Sequence, residues 1–225
     1  MIGSFELVCL DMAGTTVRDD GVVDDAFLEA LARVGIGSDS PQFRSAQIYV
    51  QDTMGQSKAD VFGALLDPAE AERATDAFAR AYERMVGEGR VSAMAGAEGV
   101  IDTLRAHGVK VCLLTGFAPS TREALIGHLG WQSHIDLALS PADCGRGRPE
   151  PDMILGAMER LEVRDPGAVA VVGDTVSDLE AGTRAGARAV IGVLSGAHNE
   201  ATLSAAPHTD LIADVTQLIG VLTSR

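Results

Sequence analysis

Apolar residues fall into two patterns along the chain: short unbroken runs, and longer stretches with helical spacing. The first run, Phe5, Leu7, Val8, Cys9 and Leu10, leads directly into Asp11, which predicts a buried strand ending in a carboxylate. Met12, Ala13, Gly14, Thr15 and Thr16 follow, mostly small and turn-forming, and Arg18-Asp19-Asp20-Gly21 predicts a turn. A turn at Gly14 lets backbone N–H groups approach an anion closely. Taken alone, a carboxylate at the end of a strand equally describes a helix cap or a solvated turn.

The spacing then becomes helical. Asp24 or Asp25 is expected to cap a helix through Phe27, Leu28, Leu31 and Val34 that ends at Gly35. Ser40-Pro41 opens a second helix, which Met54-Gly55 breaks, and Ser57 starts a third through Val61, Phe62, Leu65 and Leu66. A fourth runs from Pro68 through Phe78, Tyr82 and Met85 until Gly87-Glu88-Gly89 stops it.

From Gly96 onward helices and strands alternate, as expected for a parallel sheet with helices on both faces. A helix through Val100, Ile101 and Leu104 ends at Gly108, and the strand Val109 to Leu114 is followed by Thr115-Gly116. A helix from Ser120 to Leu129 leads to the strand Leu137 to Leu139, then to the loop Cys144-Gly145-Arg146-Gly147-Arg148-Pro149. A helix from Pro151 to Leu161, the strand Ala168 to Val172, Gly173-Asp174 and a short helix beginning at Asp178 come next. Strands Ala189 to Val193 and Leu211 to Ala213 precede a C-terminal helix. The fold expected is α/β: a Rossmann-like parallel sheet core over residues 1–19 and 91–225, and a small helical domain over residues 20–90.

Composition narrows the chemistry. A net charge of −14 argues against nucleic acid and anionic membranes, which require a basic face. Cys9, Cys112 and Cys144 are odd in number and far apart, so reduced thiols in a cytoplasmic protein are expected. No apolar run reaches spanning length, and the N-terminus enters a strand with no basic leader. The five histidines are expected at turns or on a helix surface, none with a ligand-like partner.

In open parallel sheets, ligands bind beyond the carboxyl ends of the strands. Four such ends carry suitable groups: Asp11, Thr115, the Arg146/Arg148 loop, and Asp174 with Asp178. Carboxylates from different strands suit Mg²⁺, which prefers oxygen ligands. Thr115 and Gly116 offer donors to a phosphoryl oxygen, and an arginine neutralises its charge. The bland readings are a helix cap for Asp174 and Asp178, core packing for Met54, solvent exposure for Lys58, and a solvated surface charge for Arg146.

The residues Asp11-Met-Ala-Gly-Thr-Thr16, Leu114-Thr115-Gly116, Arg148-Pro149 and Gly173-Asp174-Thr-Val-Ser-Asp178 closely resemble the motifs of the haloacid dehalogenase superfamily, over nearly the whole chain. Within it, the chain looks most like the phosphonoacetaldehyde hydrolase (phosphonatase) group. Ala13 stands where most family phosphatases have a second aspartate, and Met54-Gly55-Gln56-Ser57-Lys58 resembles the segment bearing the phosphonatase Schiff-base lysine. Gly147-Arg148-Pro149 replaces the commoner lysine loop.

The resemblance implies that Asp11 is a nucleophile forming an aspartyl-phosphate, and that Asp11, the Ala13 carbonyl and Asp174 hold Mg²⁺ with Asp178 behind them. Thr115 and Arg148 would hold the phosphoryl group, Gly14, Thr15, Met54 and Gly116 would line the substrate, and Lys58 would reach in from a cap domain formed by residues 20–90. An imine-forming lysine must be partly neutral near pH 7, and Met54, Val61 and Phe62 are the apolar neighbours expected to desolvate it. Two positions depart from the phosphonatase pattern: Val61 stands where it has a histidine, and Phe117 where it has a tyrosine.

The function expected is Mg²⁺-dependent hydrolysis of a small phosphonate such as phosphonoacetaldehyde. The alternatives are a phosphatase of a small phosphate ester on the same scaffold, a metal-free dehalogenase, and a non-catalytic receiver-type phospho-acceptor module. Receiver modules lack a helical insert after the first strand, and Asp174 with Asp178 is apt for a metal. An apolar helix in the insert is compatible with a homodimer.

Overall fold

The computed structural model describes residue 2 and residues 5–225. Along the chain, β1 (Leu7–Asp11) and the short β2 (Val17–Arg18) precede α1 (Val22–Arg33), α2 (Pro41–Asp52), α3 (Lys58–Leu65) and α4 (Pro68–Gly87). After β3 (Ser92–Ala93) come α5 (Ala97–Ala106), β4 (Lys110–Leu114), α6 (Pro119–Leu129), β5 (Leu137–Leu139), α7 (Pro141–Cys144) and α8 (Asp152–Arg160). The chain finishes with β6 (Val169–Gly173), α9 (Val176–Arg184), β7 (Ala189–Val193), α10 (Glu200–Ser204), β8 (Asp210–Ile212) and α11 (Leu218–Thr223).

Six strands form one sheet in the order β5-β4-β1-β6-β7-β8, and every pairing is parallel. β1, β6 and β7 are buried along their whole length, which explains why their sequences are apolar without a polar alternation. Successive side chains still serve opposite faces. Val8, Leu10, Val111, Leu113, Val172 and Ile191 join the core with α5 and α11, whereas Leu7, Cys9, Cys112, Leu114 and Val171 pack against Met153, Ile154 and Ala157 of α8. Three of the insert helices, α1, α3 and α4, bring Phe27, Phe62, Phe78 and Tyr82 into the first of these cores, and α2 adds Phe43.

The register of β1 against its neighbours decides where chemistry can occur. Asp11 pairs with Leu114 of β4, one residue before Thr115, and Leu10 pairs with Val172 of β6, two residues before Asp174. A strand end in register with its neighbour's end collects all three polar residues at one edge.

Several local expectations change. α1 starts at Val22 behind Gly21, with Asp24 and Asp25 inside the first turn, where carboxylates favour the helix dipole without capping. α9 starts at Val176, and Asp178 is its third residue: Thr175 caps it, and the two form a reciprocal box. β2 and β3 pair antiparallel at the two crossings into the helical segment, a ribbon of two residues per strand that is too short to leave a periodic signal. α7 and α10 were likewise not expected. The remaining starts and ends agree to within two residues. Ser40 accepts from the Phe43 N–H at 3.1 Å, as the Ser-Pro pair predicts.

His134 does have charged partners. Its Nδ1 lies 2.8 Å from Asp102 and its Nε2 3.8 Å from Glu98, one turn apart on α5. The sequence separates these groups by some thirty residues, and the packing of the turn after α6 onto α5 unites them at the surface. The three cysteines are free, and no described helix is long and apolar enough to cross a membrane.

Leu113 is fully buried in β4, between β5 and β1. Leu113→Ala should therefore cost about 2–5 kcal/mol of stability, the range for a leucine whose cavity cannot collapse. Urea unfolding followed by circular dichroism measures it, and a loss under about 1 kcal/mol would mean that the site relaxes.

Candidate active site

A cavity of about 420 Å³ opens beyond the carboxyl ends of β1, β4 and β6, between the sheet and the helical insert. Asp11, Ala13, Gly14, Thr115, Gly116, Arg148 and Asp174 line it from the sheet side, and Met54 and Lys58 from the insert. Six of these sheet-side groups lie at or just beyond the ends of β1, β4 and β6, and Arg148 comes from the loop after α7.

Arg148 organises the floor. Its Nη1 donates to Asp11 Oδ1 at 2.6 Å and also to Asp178 Oδ1, and all three side chains are buried. Asp178 is further held by Thr175, whose N–H donates to Oδ2 at 3.0 Å, so it stands behind the arginine and does not line the cavity. Asp174 accepts from Thr15 Oγ1 at 3.2 Å and from the Ala197 N–H at 2.6 Å. Gly14 is at φ +88° with its Cα face against the Asp174 carboxylate, so a Cβ there would overlap the carboxyl group.

Three buried carboxylates thus answer to one guanidinium. Burial holds Asp11 well above the usual carboxylate range, against the pull of Arg148, and lifts Asp174 to about 7, with Asp178 adding to the effect.

The insert contributes its turn before α3. Gly116 touches that turn so closely that a Cβ would overlap the Gln56 carbonyl, and the Lys58 N–H donates to the Gly116 carbonyl at 3.3 Å. The Lys58 side chain is 8% exposed, and its Nζ lies 5.4, 5.7 and 5.6 Å from the ring centroids of Phe27, Phe78 and Phe117. Its ammonium has no hydrogen-bond acceptor among the described residues. Loss of water, reinforced by the Arg148 charge, lowers its pKa to about 8, although Asp11, Asp19 and Asp24 pull the other way.

A family model for haloacid dehalogenase-like hydrolases matches residues 5–186. The chain belongs to this family. It is 32% identical over 231 residues to a phosphonoacetaldehyde hydrolase of Syntrophobacter fumaroxidans, covering 93% of this chain and 80% of that protein. It is 30% identical over 220 residues to the probable phosphatase IndB of Dickeya dadantii, covering 95% and 92%. Identity to the bifunctional riboflavin kinase/FMN phosphatase of Arabidopsis thaliana is 26% over 186 residues, 81% of this chain, which spans about half of that protein, 47% of its length. The solved structure of a phosphonoacetaldehyde hydrolase-like protein from Oleispira antarctica superposes with a TM-score of 0.81 at 25% identity, covering 99% and 93%. The chain is a hydrolase of this family, and its relatives include phosphonatases and phosphatases.

For a haloacid dehalogenase-like hydrolase, most of the residues singled out in the sequence converge here. Thr15 faces Asp174 from beneath and does not line the cavity. Arg146 is exposed and paired with Asp152 at 2.9 Å, the solvated partner of the Arg146/Arg148 pair. The rings that enclose Lys58 are Phe27, Phe78 and Phe117, whereas the expected neighbours Val61 and Phe62 are buried in the core beneath.

Sequence reasoning missed two walls. Ser195, Gly196 and Ala197, beyond the end of β7, close the cavity over Asp174, and the strand-end rule that found the other loops would have found this one. Arg18, Asp19, Asp20 and Asp24 form the wall beside the ribbon. They read as a turn and a cap, and only the fold of α1 over the sheet brings them inward.

The raised Asp174 has a measurable consequence. Its folded value is about 7 against 3.8 for an ordinary aspartate, so the native chain holds a proton that the unfolded chain releases. That stabilisation is complete below the lower value and is lost as pH rises through the higher one. In metal-free buffer the melting temperature should fall between about pH 5 and pH 8, and Asp174→Asn should flatten part of that fall, the raised Asp11 carrying another part. An unchanged slope in the variant would assign it to other groups.

Proposed function

We propose that this hydrolase cleaves a small phosphonate of the phosphonoacetaldehyde type, with Mg²⁺, through phosphoryl transfer to Asp11, and that residues 20–90 act as a cap over the site. The observation that carries the reading is Lys58: a buried amine with a pKa of about 8 in the same cavity as a strand-end carboxylate. An amine so placed is partly neutral near pH 7 and can add to an aldehyde carbon. Loss of water then gives an imine, which accepts the electron pair of the C–P bond as Asp11 takes the phosphoryl group. Water releases phosphate from Asp11, and hydrolysis of the enamine frees Lys58.

The donor set suits Mg²⁺. Three buried carboxylates against one arginine leave uncompensated negative charge, and every available donor is oxygen. Asp11, the Ala13 carbonyl and Asp174 would hold the ion, with Asp178 fixed behind Arg148. When bound, Mg²⁺ supplies positive charge to the phosphoryl oxygens. Thr115, which lines the same cavity, would donate its hydroxyl to that group, and the docked Gly55-Gln56 turn would exclude water from Lys58.

A second reading, hydrolysis of a small phosphate ester, is favoured by the surroundings of Lys58. Val61 and Phe117 are both buried and apolar, so neither relays a proton. Likeness to the probable phosphatase from Dickeya dadantii points the same way.

Asp11→Asn should lower turnover roughly 10⁴-fold or more while the circular dichroism spectrum is unchanged, the scale on which loss of a covalent nucleophile acts in hydrolases. Residual activity within about tenfold of the parent would remove Asp11 from the role. Borohydride added with phosphonoacetaldehyde should trap a reduced adduct on Lys58, at a rate that rises with pH through about 8 as the ammonium loses its proton. If there is no adduct, and phosphate release from simple esters survives Lys58→Ala, the phosphatase reading stands.

A further inference from the structure

A leaving alkoxide, or the enamine left after C–P cleavage, needs a proton, and the first-strand motif provides none, since Ala13 has no side-chain acid. No histidine lines the cavity. Of the carboxyl groups that do, Asp11 is bound to Arg148 and Asp174 to Thr15 and Ala197, while Asp20 and Asp24 are exposed at the rim. Asp19 remains. It is half-buried, and one oxygen accepts from the Gly21 N–H at 3.3 Å while the other has no partner among the described residues.

The turn that carries it is held in an uncommon shape. Asp20 and Gly21 are both in the left-handed region, at φ 43° and 87°, directly after the ribbon strand and before α1. A non-glycine residue at positive φ has a steric cost, which here accompanies a carboxyl group turned into the cavity.

We propose that Asp19 is the general acid of this site: it protonates the group that leaves phosphorus. The inference rests on Asp11 being the nucleophile. As an Asp11 oxygen bonds to phosphorus and the bond to an ester oxygen breaks, that oxygen takes the Asp19 proton; with a phosphonate the C–P pair enters the Lys58 imine, and the carbon of the resulting enamine takes the Asp19 proton before the imine is hydrolysed. Water then attacks the phosphorus of the aspartyl-phosphate and gives its proton to the Asp19 carboxylate. Phosphate leaves, Asp11 is restored, and the cycle closes with no redox change. Burial lifts the Asp19 pKa, the Gly21 N–H opposes this, Asp24 and Asp20 add to it, and Lys58 opposes it. The buried Tyr82 hydroxyl, unpartnered and packed on Phe117, also senses Asp19. A carboxyl group that retains a proton nearer neutrality is suited to donate it.

The test separates this role from that of Asp11. Radiolabelled acetyl phosphate phosphorylates an active-site aspartate without needing a general acid, because acetate leaves as an anion. With Mg²⁺ present, Asp19→Asn should take label onto Asp11 at the parent rate and lose it about 10²-fold more slowly, because the attacking water lacks its base. Turnover of phosphonoacetaldehyde or an alkyl phosphate, whichever the parent hydrolyses, should fall about 10²–10⁴-fold. Asp19→Glu, which keeps the carboxyl group, should recover most of both steps. Dephosphorylation at the parent rate in Asp19→Asn, or equal losses in the Asn and Glu variants, would overturn the assignment. Label in Asp11→Asn would instead overturn the nucleophile, a result that leaves a different pattern in the Asp19 variants.

Discussion

Arg148 holds two buried carboxylates, Asp11 at 2.6 Å and Asp178, at a point where three strands of a parallel sheet stop together. Removing either partner would leave a buried charge unanswered, a loss of about 3–5 kcal/mol in proteins generally. The geometry around it is correspondingly fixed. Asp178 is held by the helix cap with Thr175, and Asp174 by Thr15 and the Ala197 N–H. The loops beyond β1, β6 and β7 take their shape from satisfying these carboxylates, and the excess negative charge they hold makes the floor receptive to a cation.

The opposite wall has the reverse problem, a cation without a carboxylate. Lys58 is enclosed by three aromatic rings supplied by α1, α4 and the loop after β4. Those rings belong to a chain of contacts through Phe27, Phe62, Phe78, Tyr82 and Phe117, with centroids 4.5–6.3 Å apart, that links the insert to the sheet face. The packing that stabilises the insert therefore also desolvates the amine and lowers its pKa. Lys58 and the carboxylates around Arg148 thus face one another across a single cavity, the cation short of acceptors and the acids short of cations.

Asp19 belongs to neither wall by sequence logic. It lies just after a two-residue ribbon strand and before two residues at positive φ, and it lines the cavity. It puts a half-buried carboxyl group in the cavity wall of a site whose first-strand motif has alanine at position 13.

The central strands were legible because full burial on both faces leaves an unmistakable apolar run, and the motif residues were legible because a parallel sheet obliges its chemistry to sit at strand ends. Asp11, Thr115, Arg148 and Asp174 could all be named on that basis, and Lys58 only through the resemblance of the Met54-Gly55-Gln56-Ser57-Lys58 segment. Features that depend on distant segments meeting could not: the β2–β3 ribbon, the Phe27, Phe78 and Phe117 cage, the Glu98–Asp102–His134 cluster, and the inward turn of Asp19. Local pattern fixes which residues are strand, helix or turn, since backbone propensity and periodicity act over a few residues. Which side chain loses its water, and which charge finds a partner, is settled only when segments some 30 to 160 residues apart pack together, because desolvation and pairing are properties of the assembled neighbourhood.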